Sequence, residues 1–242
     1  MPGGFLYHAS NRASAGVDIF ACDVERDQFA ALLAEAQRRV DDCPDLLAWC
    51  AVPGEWHALL RSRVEGDVSQ FLRWVSMRHA QQHHHLKQTS GGGSIYRGRF
   101  RSYPVMAKGT YPFAVSRYIE SLPRRRGHAE TCDLWRSSSA LDRCRPEEVA
   151  SQRDRFQLLP LCEWPGGDQV DVKAYCLLLA SEQPRKEVEA IEKHLSRGRP
   201  FGEDEWVQCI AREMNLLHTL RPRGRPRRDA SAVPLSLHPT AA

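Results

Sequence analysis

The chemistry in this chain gathers in one stretch. Residues 94–106 read Ser-Ile-Tyr-Arg-Gly-Arg-Phe-Arg-Ser-Tyr-Pro-Val-Met, so Tyr96, Phe100 and Tyr103 alternate with Arg97, Arg99 and Arg101. Guanidiniums neutralise phosphates and aromatic faces stack on unpaired bases, so the mixture suits a nucleic acid. A tyrosine follows at 118. Its hydroxyl is a candidate nucleophile, although spacing alone also describes a core tyrosine on an amphipathic helix. Upstream, Glu55 and His57 lie two apart in an apolar run. On a strand both side chains point to one face. A carboxylate with an imidazole suits a hard divalent cation, magnesium or manganese. Taken alone, the same pair describes an edge or core histidine.

The elements that must position these groups are legible in order. Phe5 to Asn11 alternates as a strand, and Asp23 heads a helix with Phe29, Leu32, Leu33, Ala36 and Val40 at helical spacing. Leu46 to Val52 is a buried strand, Pro53-Gly54 a turn, and Glu55 to Arg61 the paired strand. Asp67 starts a second helix with Val68, Phe71, Leu72 and Val75 inward, running towards His79. His83 to His85 and Gly91 to Gly93 mark a loop, either solvated or metal-binding by composition. Arg99 to Met106 is a strand. Thr110 and Pro112 then open a helix on which Val115, Tyr118, Ile119 and Leu122 share a face. Strand, helix, strand, strand, helix, strand is the α+β, ferredoxin-like split β-α-β order: an antiparallel sheet with helices on one face. Residues 1–130 are expected to form this core, 131–220 a C-terminal helical extension, and 221–242 a disordered basic tail. Within the extension, 145–170 reads as a linker or an irregular connection, and 170–181, 186–195 and 204–214 read as helices.

Composition sets bounds. The 242 residues carry a net charge of +4, with an acidic start and arginine-rich segments at 97–126 and 221–228. Local basic patches matter more than the total for a polyanion partner. The eight cysteines form no Cys-x-x-Cys pair, so free thiols in a reducing cytoplasm are expected. The start lacks a secretory pattern and no apolar run is long enough to span a bilayer. Arg-Gly-Arg-Pro occurs twice. The copy at 223–226 suits a narrow minor groove, whereas the copy at 197–200 fits helical packing before Phe201.

Set in order, several pieces resemble the single-tyrosine HUH transposases, specifically the REP-associated tyrosine transposases. They are Tyr7-His-Ala-Ser-Asn-Arg12, Trp49-Cys-Ala-Val-Pro-Gly-Glu-Trp-His57, Phe71-Leu-Arg-Trp74, Tyr96 to Val105 and Arg117-Tyr-Ile-Glu120. Arg197 to Gly202, Glu205-Trp-Val207 and Thr219 to Pro226 are similar to the family's tail. The resemblance implies a metal-dependent nuclease and strand transferase acting on single-stranded DNA with a hairpin. Tyr118 would form a 5′-phosphotyrosine link, with magnesium or manganese held by Glu55 and His57. Arg73, Arg97, Arg99, Arg101, Arg124, Arg223 and Arg225 are the expected DNA contacts, and a homodimer is admitted. The chain departs from the family's pattern at Glu55, where a histidine is usual, at Gly54, and at Leu122, where a polar ligand is usual. The alternative is therefore a hairpin-binding protein without nuclease activity. A third reading places RNA on exposed aromatics of the sheet.

Overall fold

A computed structural model describes residues 1–149, 156–167 and 170–221. Four strands, β1 (Leu6–Arg12), β2 (Asp45–Val52), β3 (Glu55–Arg61) and β4 (Arg101–Val105), form one antiparallel sheet in the order β2-β3-β1-β4. Helices α1 (Asp23–Arg39) and α2 (Asp67–Lys87) make the two crossovers, as the sequence order requires. The β2–β3 turn is Pro53-Gly54, and Gly54 sits at φ +85°, which glycine tolerates without a Cβ clash.

Alternation along the strands sends side chains to two faces. Tyr7, Ala9, Trp49, Ala51, Trp56, Ala58 and Leu60 pack on α1 and α2 through Phe29, Leu33, Val68, Phe71, Leu72 and Val75. Each such large apolar side chain, fully buried, contributes about 1.5–3 kcal/mol. Leu6, Leu47, Cys50, Val52, Leu59 and Val105 face the other way. That second face is covered too, first by α3 (Tyr111–Glu120) and α4 (Leu122–Arg125). The expected one-sided helix layer is thus completed by a second layer, because β2 and β3 are apolar on both faces.

The rest of the second layer comes from the C-terminal part. It contains α5 (Ser139–Cys144), α6 (Pro146–Val149), α7 (Val172–Ala180), α8 (Arg185–Arg197), α9 (Asp204–Glu213) and α10 (Leu217–Leu220). Ala140, Leu159, Leu161, Trp164, Tyr175, Leu179 and Ile191 join the same core as Val115 and Ile119. Residues 131–221, as far as described, therefore share the core of the first 130. The segment expected as a linker or an irregular connection contributes Leu159, Leu161 and Trp164 to it, so of the two it is the irregular connection.

Two local expectations are corrected. The His83–His85 run belongs to α2, not a loop: His79 and His83 continue the buried stripe of Val75 at four-residue steps, and the helix ends only at Lys87. Asp67 turns its carboxylate back onto the amides of Arg63, Val64 and Val68, fixing the entry turn. Free thiols throughout are contradicted by one pair, since Cys144 and Cys176 form a disulfide joining α5 to α7. Among the described residues no helix is long and apolar enough to cross a membrane.

Candidate nucleic-acid interface

Register builds the site. Antiparallel pairing sets Arg12 opposite Glu55, and Ser10 opposite both His57 and Arg101. His8 lies opposite Leu59 and Tyr103. This row belongs to the second face, where α3 covers one side and α8 the other. Gly198 at φ +68° ends α8, and Phe201 then pairs with the β4 backbone through Pro104 and Met106. That pairing holds α8 across the sheet, with the His194 ring 5.0 Å from Tyr103 and 6.0 Å from His8.

Between α3 and α8 the second layer opens into a cleft of about 740 Å³. Arg12, Arg97, Arg99, Arg101 and Arg126 line it, with His57, Tyr103 and Tyr118 in its walls. Glu192 of α8 is the carboxylate among its lining residues. Among the described residues no carboxylate lies within ion-pair distance of Arg97, Arg99 or Arg101. The cleft is thus strongly cationic, and low-dielectric walls concentrate that field.

Tyr118 is only 3% exposed yet reaches the cleft wall. The Arg125 guanidinium lies 3.9 Å over its ring, and that arginine also donates to the Tyr118 carbonyl. His57 and His8 meet the ring edge-on at 6.1 and 6.0 Å. Burial raises the Tyr118 pKa, with Arg125 opposing the rise. The phenol is therefore neutral at ordinary pH. Tyr118 thus packs in the core, as the amphipathic-helix reading expects, and also lines the cleft.

His57 is buried, with Nδ1 2.9 Å from His8 Nε2 and Nε2 3.5 Å from Glu55 Oε2. Burial lowers its pKa, against the pull of Glu55, so the ring is neutral. Glu55 is ionised. Burial pushes its carboxyl up, but His57, Arg12 and Arg126 outweigh that and hold it far below the usual carboxylate range. Both its oxygens are occupied: Oε2 accepts from Arg12 Nε at 2.8 Å, and Oε1 accepts from Arg126 Nε at 2.7 Å.

A divalent cation does not fit this donor set. It would share its carboxylate with two guanidiniums, and like charges at that range repel strongly. Leu122, buried at 1% exposure, supplies no lone pair. Among the described residues no group of three or more His, Cys, Asp or Glu side chains is arranged to hold a metal. The magnesium or manganese expected at Glu55 and His57 therefore has no suitable seat there.

The other expected contacts divide. Arg97, Arg99 and Arg101 converge on the cleft. Arg73 is exposed on α2, beyond the opposite face of the sheet. Arg124 donates to the carbonyls of Ala180 and Ser181, bracing the end of α7. Arg223 and Arg225 lie outside the described residues. Tyr96, expected as a stacking platform, is instead 5% exposed, its hydroxyl between Trp56 Nε1 and His79 Nδ1 at 3.1 and 2.6 Å. Phe100 packs against the α1–α2 core. With both sheet faces covered, the exposed-aromatic surface on which an RNA reading depends is absent from the described residues. Arg12, His194 and Glu192 were not singled out. Arg12 carried one usable signal, a two-residue step from Ser10 on an edge of alternation. The two α8 residues carried none.

Four of the five buried histidines lead to a pH prediction. Burial lowers the pKa of His8 and His57, that of His79 to about 4 and that of His194 to about 3. In the unfolded chain they return to about 6.5. Between these values the unfolded state binds more protons, so stability falls as pH falls. Stability from this source is complete above about 6.5 and is lost progressively towards 4, by a few kcal/mol. Urea melts at stepped pH should show this slope, and His79→Gln should flatten it. A profile with no slope between pH 7 and 5 would contradict the assignment.

The chain is thus an α+β protein with a split β-α-β sheet and a guanidinium-lined cleft walled by neutral histidine and tyrosine. No family model matches the chain, and no curated protein matches it. Among solved structures, it is similar to one described as a REP-associated tyrosine transposase bound to a REP hairpin. The two are 15% identical, the match covers 66% of this chain and 95% of that one, and the TM-score is 0.46.

Proposed function

We propose that this chain binds DNA, single-stranded with a hairpin flank, through the arginine-lined cleft. The observation that carries this reading is convergence. Asn11, Arg12, His57, Arg97, Arg99, Arg101, Tyr118 and Arg126 are scattered in sequence, yet they meet at one cleft. Five guanidiniums line it with the single carboxylate of Glu192, while Glu55 lies buried beneath Arg12 and Arg126. Phosphate contacts of this kind give sequence-tolerant affinity that falls steeply with salt. Tyr103 and Tyr118 are 7% and 3% exposed, so stacking is a minor contribution and phosphates dominate. Fluorescence anisotropy with a labelled hairpin-bearing oligonucleotide should give a steep negative slope of log affinity against log salt. A flat response would end this reading.

A second reading is favoured by Tyr118 standing in the same wall as the arginines. In it, the Tyr118 oxygen attacks a strand phosphorus and forms the tyrosyl–phosphate bond. The bond from phosphorus to the 3′ oxygen breaks, the phenolic proton is lost to solvent, and the leaving oxygen is protonated as a 3′ hydroxyl. Strand transfer is the reverse attack by another 3′ hydroxyl. Arginines can stabilise the phosphate charge, since positioning and electrostatics carry most of such a barrier. The raised pKa of Tyr118 makes the step slow. Incubation with hairpin DNA should yield a small amount of adduct on a denaturing gel, absent in Tyr118→Phe, whose DNA affinity stays within about twofold because a lone peripheral hydroxyl contributes little. An adduct that persists in Tyr118→Phe would remove Tyr118 from this role, and no adduct in either form would leave binding alone.

A further inference from the structure

We infer that Arg12 and Arg126, gripped by the single carboxylate of Glu55, form a metal-independent seat for one phosphate group. That the phosphate belongs to a DNA strand rests on the reading above; the seat itself does not.

The two arginines come from distant parts of the chain. Arg12 ends β1, directly opposite Glu55 on β3, and Arg126 follows α4. Arg12 bonds Glu55 through Nε at 2.8 Å, and Arg126 does so through Nε at 2.7 Å and Nη2 at 2.5 Å. Among the described residues no acceptor is bonded to either Nη of Arg12 or to Nη1 of Arg126. Those groups are the donors left for a ligand. The side chains are 58% and 46% exposed while Glu55 is 7% exposed, so the grip is buried and the forks are wet. Both arginines line the cleft.

Each feature favours an anion. Two cations on one anion leave a surplus positive charge. His57 beside them is neutral and adds none. Two guanidiniums bound to the two oxygens of one carboxylate are held close together, with their rotamers ordered before a ligand arrives. Such pre-ordering removes a cost that binding would otherwise incur. A planar fork also matches pairs of phosphate oxygens, which an ammonium does not. Glu55 is on this account a positioning residue where the resemblance implies a metal ligand.

The test uses the full chain, Arg12→Lys, Arg126→Lys and the double variant. Lysine keeps a charge against Glu55, which protects the fold, but lacks the fork. Inorganic phosphate is titrated in EDTA and followed by phosphorus NMR, with hairpin DNA affinity measured in parallel. Each single variant should weaken phosphate binding about tenfold, the scale of one charge-assisted bond. The double variant should be scarcely weaker than either single, because one ligand bridging both residues makes their effects non-additive. Additive losses would overturn the shared seat, as would unchanged affinity in all variants. Should wild-type phosphate binding fall below detection, the same cycle measured on DNA decides in the same way. Phosphate uptake without DNA binding would keep the seat and remove the nucleic-acid reading. DNA binding insensitive to both lysine variants would do the opposite. Tightening by added manganese would overturn metal independence.

Discussion

Replacing Arg97, Arg99 and Arg101 together by alanine is expected to weaken binding of hairpin-bearing single-stranded DNA by about 100-fold at low salt. The figure takes roughly 1 kcal/mol for each exposed charged contact, the upper end for such pairs. All three side chains are exposed on the cleft and none has a carboxylate within ion-pair distance among the described residues. Their charge is therefore free for a ligand. The slope of log affinity against log salt should shrink by about 2, since a single strand releases roughly 0.7 counterions per neutralised phosphate. Folding should be unaffected to within about 0.5 kcal/mol, because no buried contact is removed. A triple variant that binds as wild type, with the slope unchanged, would show that DNA does not lie in this cleft. Alanine at Arg73 is the useful control: it removes a charge from the opposite layer and should leave the slope alone.

Arg143→Met is expected to destabilise the protein by about 3–5 kcal/mol, the scale of breaking a buried ion pair. Glu120 is fully buried, and Arg143 Nε lies 3.3 Å from its Oε1. Arg143 also donates to the Leu47 carbonyl and lies 4.7 Å over the Trp164 ring. The remaining partners of Glu120 are hydroxyls, Tyr175 at 2.5 Å, Ser116 at 3.4 Å and Ser139. Hydroxyls alone do not offset a buried negative charge. In urea the midpoint should drop by roughly 2 M for a slope near 2 kcal/mol/M. Adding Glu120→Gln should restore part of the loss, because the orphaned charge disappears with it. A midpoint shift equivalent to less than about 1 kcal/mol would mean that the pair is not the lock it resembles here. The consequence reaches the cleft: Glu120 lies two residues beyond Tyr118 on α3, so this cluster ties the tyrosine's helix to α5 and α7.

Much of the architecture was written in local pattern. The two-residue period of β1 and β3, the apolar run of β2, the turn at Pro53-Gly54 and the helical stripes of α1 and α2 each depend on neighbours in sequence. They led directly to the split β-α-β order. The exposed arginines at 97, 99 and 101 were legible for a related reason: arginine is almost never fully buried without a partner, whatever its aromatic neighbours do. Three helices of the extension were also placed from periodicity alone.

What local pattern could not decide was which distant groups meet. Tyr96 has the composition of a stacking residue, yet Trp56 and His79 satisfy its hydroxyl in the core, and only tertiary packing brings those two to it. Glu55 and His57 were correctly placed on one strand face, but Arg126 arrives from 71 residues away to occupy the carboxylate. Charge compensation of that kind leaves no trace in spacing. The second helical layer was likewise hidden, because an amphipathic helix states that one face is buried and not against which sheet face. By itself the sequence determined the strands, the helices and the basic stretch. Only the tertiary structure decided that Glu55 holds two guanidiniums, since register and crossover place those three charges together and electrostatics then assigns the carboxylate to the nearest cations.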